Sequence, residues 1–290
     1  MNKSKNYGHV RALNYASKEA LKDYLGKRYS TVASHINRTK LFIDFCKKNN
    51  VKKAENITNE FLEDYADSLL SKLAKQDISI VYAHNLLSSA NVLMSAFRRD
   101  NEVWVSPLEY FGPRSNIRTV APNMNLLDAK SACREISALG EHEIAMLIWL
   151  ALILGLRLRE AILIDAEKAY KQAVKLGHVD IRKGTKGGRG KRVERLIPGD
   201  KRIIKALDVA RKLQQKKASF ISENEKMITF YREVHRVALP ILKRHGIQKI
   251  HELRAVFACK QFKKLTGYDA PVVSKKYVEE TEDIRAGVKK

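Results

Sequence analysis

The chain has 290 residues, 44% of them hydrophobic and 30% charged, which is long enough for two domains and a sizeable core and too apolar for a disordered chain. Its 55 Lys and Arg outnumber 32 Asp and Glu, a formal net charge of +23, and that excess favours a polyanionic partner through phosphate contacts and counterion release. Three scattered cysteines (Cys46, Cys133, Cys259) with no Cys-x-x-Cys speak against a disulfide framework or zinc ribbon and for a reducing compartment.

The N-terminus, MNKSKNYGHVRALNYASKEA, has no apolar h-region, so the expected location is cytoplasmic. Residues 1–29 read as a basic arm with a short helix near Ser17 to Tyr24. Three helical patterns follow. Thr31 can cap one carrying Val32, Ile36, Phe42, Ile43 and Phe45. Thr58 can cap a second with Phe61, Leu62, Tyr65, Leu69 and Leu73 on one face. The third runs from about Ser79 to Asp100, where Leu86, Ala90, Leu93 and Phe97 form a 3.6-residue stripe. Residues 30–105 therefore read as a helical domain with basic surface. Residues 106–123 carry Pro107, Gly112, Pro113 and Pro122 without apolar period and read as a linker.

The second half, residues 124–290, opens with a helix over about Asp128 to Leu139. Ile144 to Leu156 follows without a single charge; it is shorter than the ~20 apolar residues that cross a bilayer and reads as a buried helix. At its end Gly155 is followed at once by Arg157, Arg159 and Glu160. An arginine there is either paired with Glu160 at i,i+3 on a helix surface or presented to an anion from a rigid base. The helical pattern continues through Ala161 to Ala169. From His178 the texture changes: HVDIRKGT alternates as a strand, KGGRGK is a turn and RVERLIP is a second strand, giving a hairpin with a basic, glycine-rich tip. Helices resume over about Asp200 to Gln215, about Glu223 to Lys243, and residues 251–265.

The tip is not a phosphate-binding P-loop. Gly184 to Gly190 is one residue too long, and Arg192 stands where Ser or Thr would hold magnesium. What remains is Lys186, which on local grounds alone reads as solvated. His251 and Arg254 share one face of the last helix. Neither His142-Glu143 nor His251-Glu252 is followed by the second histidine of a zinc-protease helix, so no metal or cofactor is expected.

The ordered set is more specific than its members. An arginine closes a buried helix, a lysine sits on a hairpin about thirty residues later, and a His-x-x-Arg opens a helix about sixty-five residues beyond, all after a basic helical domain. This resembles the tyrosine recombinase, or phage integrase, family over roughly residues 30 to 265. GLRLREA at 155–161 is similar to its first arginine box, TKGGRGKRVERLIP at 185–198 to its lysine hairpin, and HELRAVFA at 251–258 to its second box.

The resemblance implies a mainly α fold with a small hairpin or sheet, built as a two-domain clamp on double-stranded DNA. It implies site-specific recombination by metal-independent transesterification. Arg157 and Arg254 would stabilise the phosphoryl transition state, Lys186 would protonate the leaving 5′ oxygen, His251 would assist, and Glu160 would hold the site together. Lys40, Arg98, Arg99, Arg114, Arg118, Arg189 and Lys191 would contact the DNA backbone. The family works as a homo-tetramer on paired sites; no membrane partner is expected. The family's nucleophilic tyrosine lies some thirty or more residues past the second arginine, whereas Tyr277 is 23 positions past Arg254 and has the acidic run Glu279, Glu280, Glu282 and Asp283 beside it. The expectation is a catalytic domain incomplete at its C-terminus. A DNA-binding relative without strand cleavage, and a basic RNA- or ribosome-binding protein, stay open as alternatives.

Overall fold

The computed structural model describes residues 12–115, 117–185 and 194–275. The chain divides into two compact units, Met1–Ile117 and Arg118–Lys290. Both are helical, and a two-stranded antiparallel sheet lies in the second.

The first unit is built from α1 (Leu13–Leu25), α2 (Tyr29–Lys48), α3 (Asn59–Ala74), α4 (Ile80–Arg98) and α5 (Pro107–Phe111). Helix α4 is its axis, because apolar residues surround it on nearly every side. Leu86, Ala90, Leu93 and Phe97 are fully buried, and so are Leu87 and Met94 behind them. The Ser79 hydroxyl accepts from the Tyr82 amide and the Thr58 hydroxyl from the Phe61 amide, so both helices start where a side-chain cap is available. Phe42, Phe45, Phe61 and Tyr65 pack as a tilted aromatic cluster between α2 and α3.

Three features differ from the sequence reading. Helix α2 begins at Tyr29, so Thr31 lies inside its first turn and is no cap. Residues from Leu13 on are not an arm: Leu13, Ala16, Ala20 and Leu21 are buried in the core of the unit. Their spacing of three, four and one is a helical stripe that the surrounding lysines obscure. Part of the expected linker is also core, since α5 buries Phe111 and its start is capped by Ser106.

The second unit contains α6 (Leu126–Ala138), α7 (His142–Ile153), α8 (Leu158–Leu163), α9 (Ala166–Leu176), β1 (His178–Asp180), β2 (Leu196–Pro198), α10 (Lys201–Gln214), α11 (Met227–Arg244), α12 (Ile250–Thr266) and α13 (Pro271–Ser274). Helix α7 is the centre of the core. Ile144, Leu147, Ile148, Leu150, Ala151, Leu152 and Ile153 are buried, and α6, α8, α10, α11 and α12 pack around it. No helix among the described residues is long and apolar enough to cross a membrane. Strands β1 and β2 pair with His178 opposite Pro198, Val179 opposite Ile197 and Asp180 opposite Leu196.

The apolar pattern after Arg157 is two helices, not one. Ile164 turns extended, and the Asp165 carboxylate restarts the chain as α9 by accepting from the Lys168 amide. Buried Gln214 bridges that break, donating to the Ile164 carbonyl and accepting from the Ala166 amide.

Candidate phosphodiester-binding site

Gly155 lies two residues past the end of α7, and its φ of +58° is the left-handed backbone that glycine adopts without strain. A Cβ at this position would overlap the ring of Phe257 on α12, so the turn also needs glycine for space. The turn aims the Gly155 carbonyl at two guanidiniums: Arg195 Nη2 donates to it at 2.7 Å and Arg254 Nη1 at 2.6 Å.

Arg157 is the N-cap residue of α8 rather than the last residue of the buried helix. Three residues on, Glu160 reaches back, and its Oε2 accepts from the Arg157 amide at 2.8 Å. The same carboxylate accepts from Arg157 Nη1 at 2.7 Å, from Arg195 Nη1 at 2.6 Å and, more loosely, from Arg254 Nη1 at 3.5 Å. The Glu160 side chain is 0% exposed, while those of Arg157, Arg195 and Arg254 are 38%, 25% and 26% exposed. The two readings of the Arg157–Glu160 spacing are therefore both realised. The pair forms with its carboxylate buried, and the guanidinium still reaches solvent.

His251 and Arg254 enter from the first turns of α12. Glu252 fixes that start by accepting from the amides of Gln248 at 2.7 Å and Lys249 at 3.3 Å, and its other oxygen takes Arg118 Nη2 at 3.0 Å. Ile250, Leu253, Val256 and Cys259 are the buried stripe of α12, so His251 and Arg254 ride beside a fixed apolar face.

The electrostatics follow from three guanidiniums around one carboxylate. Burial alone would raise the Glu160 carboxyl. The Arg157 amide and the guanidiniums of Arg195 and Arg157 outweigh it and hold the group below the ordinary carboxylate value. Burial, then the charges of Arg254, Arg157 and Arg118, push His251 below its usual value. Its imidazole is neutral at pH 7, able to donate from one nitrogen and accept at the other. Arg254 is lowered by burial and by Arg195 and Arg157, and like any arginine it keeps its proton. The result is a rigid, solvent-reaching excess of positive charge lined by planar donors, which suits a phosphate.

The sequence-selected residues fall into three groups. Arg157, Glu160, His251 and Arg254 come together here, and Arg118 is close enough to depress His251. Lys186, Arg189, Lys191 and Tyr277 lie outside the described residues. The first-unit cations differ among themselves. Lys40 is exposed on α2, and Arg114 is exposed with a long contact to Asn85. Arg98 is bound by Asp100 and Glu102, and Arg99 by Asp23 with the Tyr24 ring 5.5 Å away. With side chains only 14% and 15% exposed, Arg98 and Arg99 are tied to their own unit rather than presented to a backbone phosphate. Among the described residues no three His, Cys, Asp or Glu side chains group as a metal site.

Arg195 was not singled out from the sequence. A signal exists: Ile197 faces the core, and the strand period of two puts Arg195 on the same, inward side.

Residues 122–260 match the family model described as Integrase. Over this segment the chain is similar to the integrase family. Solved structures show the same fold for a larger share of the chain. A lambda integrase dimer bound to a COC′ core site aligns at a TM-score of 0.54 and 14% identity, covering 97% of this chain and 77% of that one. A lambda integrase tetramer bound to a Holliday junction aligns at 0.52 and 13%, covering 96% and 82%. A search of the curated proteins finds no match.

Proposed function

We propose that this protein is a site-specific DNA recombinase of the tyrosine class, and that the Arg157–Arg254–His251 cluster is where it holds the scissile phosphodiester. The observation that carries the reading is the geometry around Glu160. One buried carboxylate and one carbonyl fix two arginines from distant segments so that both still reach solvent beside a neutral imidazole. In a phosphoryl transfer, charge grows on the non-bridging oxygens, and preorganised guanidiniums stabilise it without having to reorganise. His251 would hydrogen-bond the phosphate or relay a proton. Lys186 would protonate the departing 5′ oxygen, and a tyrosine would hold the 3′ phosphate as an ester until religation. Both units would contact the same duplex, through Lys40 and Arg114 in the first and Arg118, Arg189 and Lys191 in the second, with several protomers on paired sites.

Selection from a pool of random-sequence duplexes, with a matched RNA pool in parallel, tests this reading against RNA binding. Enrichment of a duplex motif supports it. Binding of both pools with no motif would exclude it.

A further inference from the structure

Arg195 stands between the strand pair and the arginine cluster. Its backbone is fixed from β1: the Ile181 amide donates to the Arg195 carbonyl at 3.1 Å, and the Arg195 amide donates to Asp180 Oδ1 at 3.2 Å. Its side chain leaves the sheet and forks, Nη1 onto Glu160 and Nη2 onto Gly155. The opposite leg of the sheet also abuts α8. Gly184, with φ of +77°, lies so close that a Cβ would be 2.9 Å from the Arg159 carbonyl oxygen. The strands are thus seated on the Gly155–Glu160 turn from both legs.

Arg195 and Arg254 use the same two acceptors, yet they use them differently. Arg195 spends both terminal nitrogens on them. Among the described residues, Arg254 makes its bonds through Nη1, and the Arg157 side chain bonds Glu160 through Nη1. We propose that Arg195 is a positioning residue that locks the Glu160 carboxylate and the Gly155 carbonyl in one arrangement, so that Arg157 and Arg254 are each anchored by one edge and keep the other for a phosphate. This rests on the reading of the cluster as a phosphodiester site. The planar fork is essential. A lysine in this place keeps the charge but has one nitrogen, which cannot span a carboxylate and a carbonyl with two directed bonds.

The test needs no target sequence and no cleavage. The full chain, labelled with 13C at histidine Cε1, is titrated with inorganic phosphate, and the His251 resonance is followed in the wild type, Arg195→Ala and Arg195→Lys. Helical circular dichroism and thermal melting are recorded for each. The positioning role predicts a saturable shift at His251 in the wild type. It predicts affinity lower by roughly tenfold in Arg195→Ala, the loss of about one charged hydrogen bond. Arg195→Lys should recover only part of that while keeping wild-type helicity, and it carries the test if Arg195→Ala does not fold. Affinity within about twofold of wild type in Arg195→Ala would overturn the proposal. So would full recovery in Arg195→Lys, because charge alone would then suffice. Absence of any phosphate shift in the wild type would instead sink the phosphodiester-site reading itself, and the role of Arg195 with it.

Discussion

Replacing Glu160 by Gln asks whether one buried carboxylate organises the site. The glutamine keeps the shape and one acceptor oxygen, but sets an NH2 against guanidiniums that the carboxylate now holds at 2.6 and 2.7 Å. Breaking a fully buried ion pair costs about 3–5 kcal/mol. The arginines here are a quarter to two-fifths exposed, so water recovers part of their solvation and about 2–3 kcal/mol is expected. For a unit of this size each kcal/mol lowers Tm by about 2–4 °C, giving a fall of about 5–10 °C. The protein has two tryptophans, Trp104 in the first unit and Trp149 on α7 in the second. In a Trp104→Phe background, Trp149 fluorescence reports the melting of the second unit alone. The pH dependence carries a sign. Because the Glu160 carboxyl lies below its ordinary value, its stabilisation is complete above the unfolded carboxylate value and is lost as pH falls through the folded one. The gap between wild type and Glu160→Gln should be full at neutral pH and close under acid. A Tm within about 1 °C of wild type at neutral pH, or a gap that does not change with pH, would refute the argument.

Other expectations follow from the same geometry. Gly155→Ala should destabilise the second unit by about 2–4 kcal/mol, through overpacking and the positive φ together; Phe257→Leu in the same chain should restore part of the loss, read from the Trp149 transition. His251 should titrate below the usual histidine value by NMR. Arg254→Ala, which removes the largest of the depressing charges, should move it upward. Duplex binding should weaken steeply with salt, each backbone phosphate contact contributing about −0.9 to the log–log slope. Lys40→Ala should flatten that slope, while Arg99→Ala, already paired with Asp23, should leave it unchanged.

Much of this was legible because it is periodic or local. The α4 stripe and the alternation of the two strands each repeat at the period of their element, and α7 shows as an unbroken uncharged run. The Arg157–Glu160 and His251–Arg254 pairs lie one turn apart. The parts that escaped depend on contacts between distant segments. Arg99 looks like a free surface cation until Asp23, far away in the sequence, folds against it. Arg195 looks like one more charge on a basic hairpin until β1 sets its register and turns it onto Glu160. The N-terminal helix hides its apolar stripe among lysines. The break between α8 and α9 depends on Gln214, some fifty residues away, which satisfies the backbone there.

The measurement that tests the central claim most directly is covalent trapping on a nicked duplex carrying the selected motif. The protein is incubated with it, denatured, and resolved by gel and peptide mapping. The account predicts a protein–DNA adduct on a tyrosine that disappears in Arg157→Ala and Arg254→Ala, while both variants still bind the duplex. Tight binding with no adduct, or an adduct that persists in both arginine variants, would contradict it.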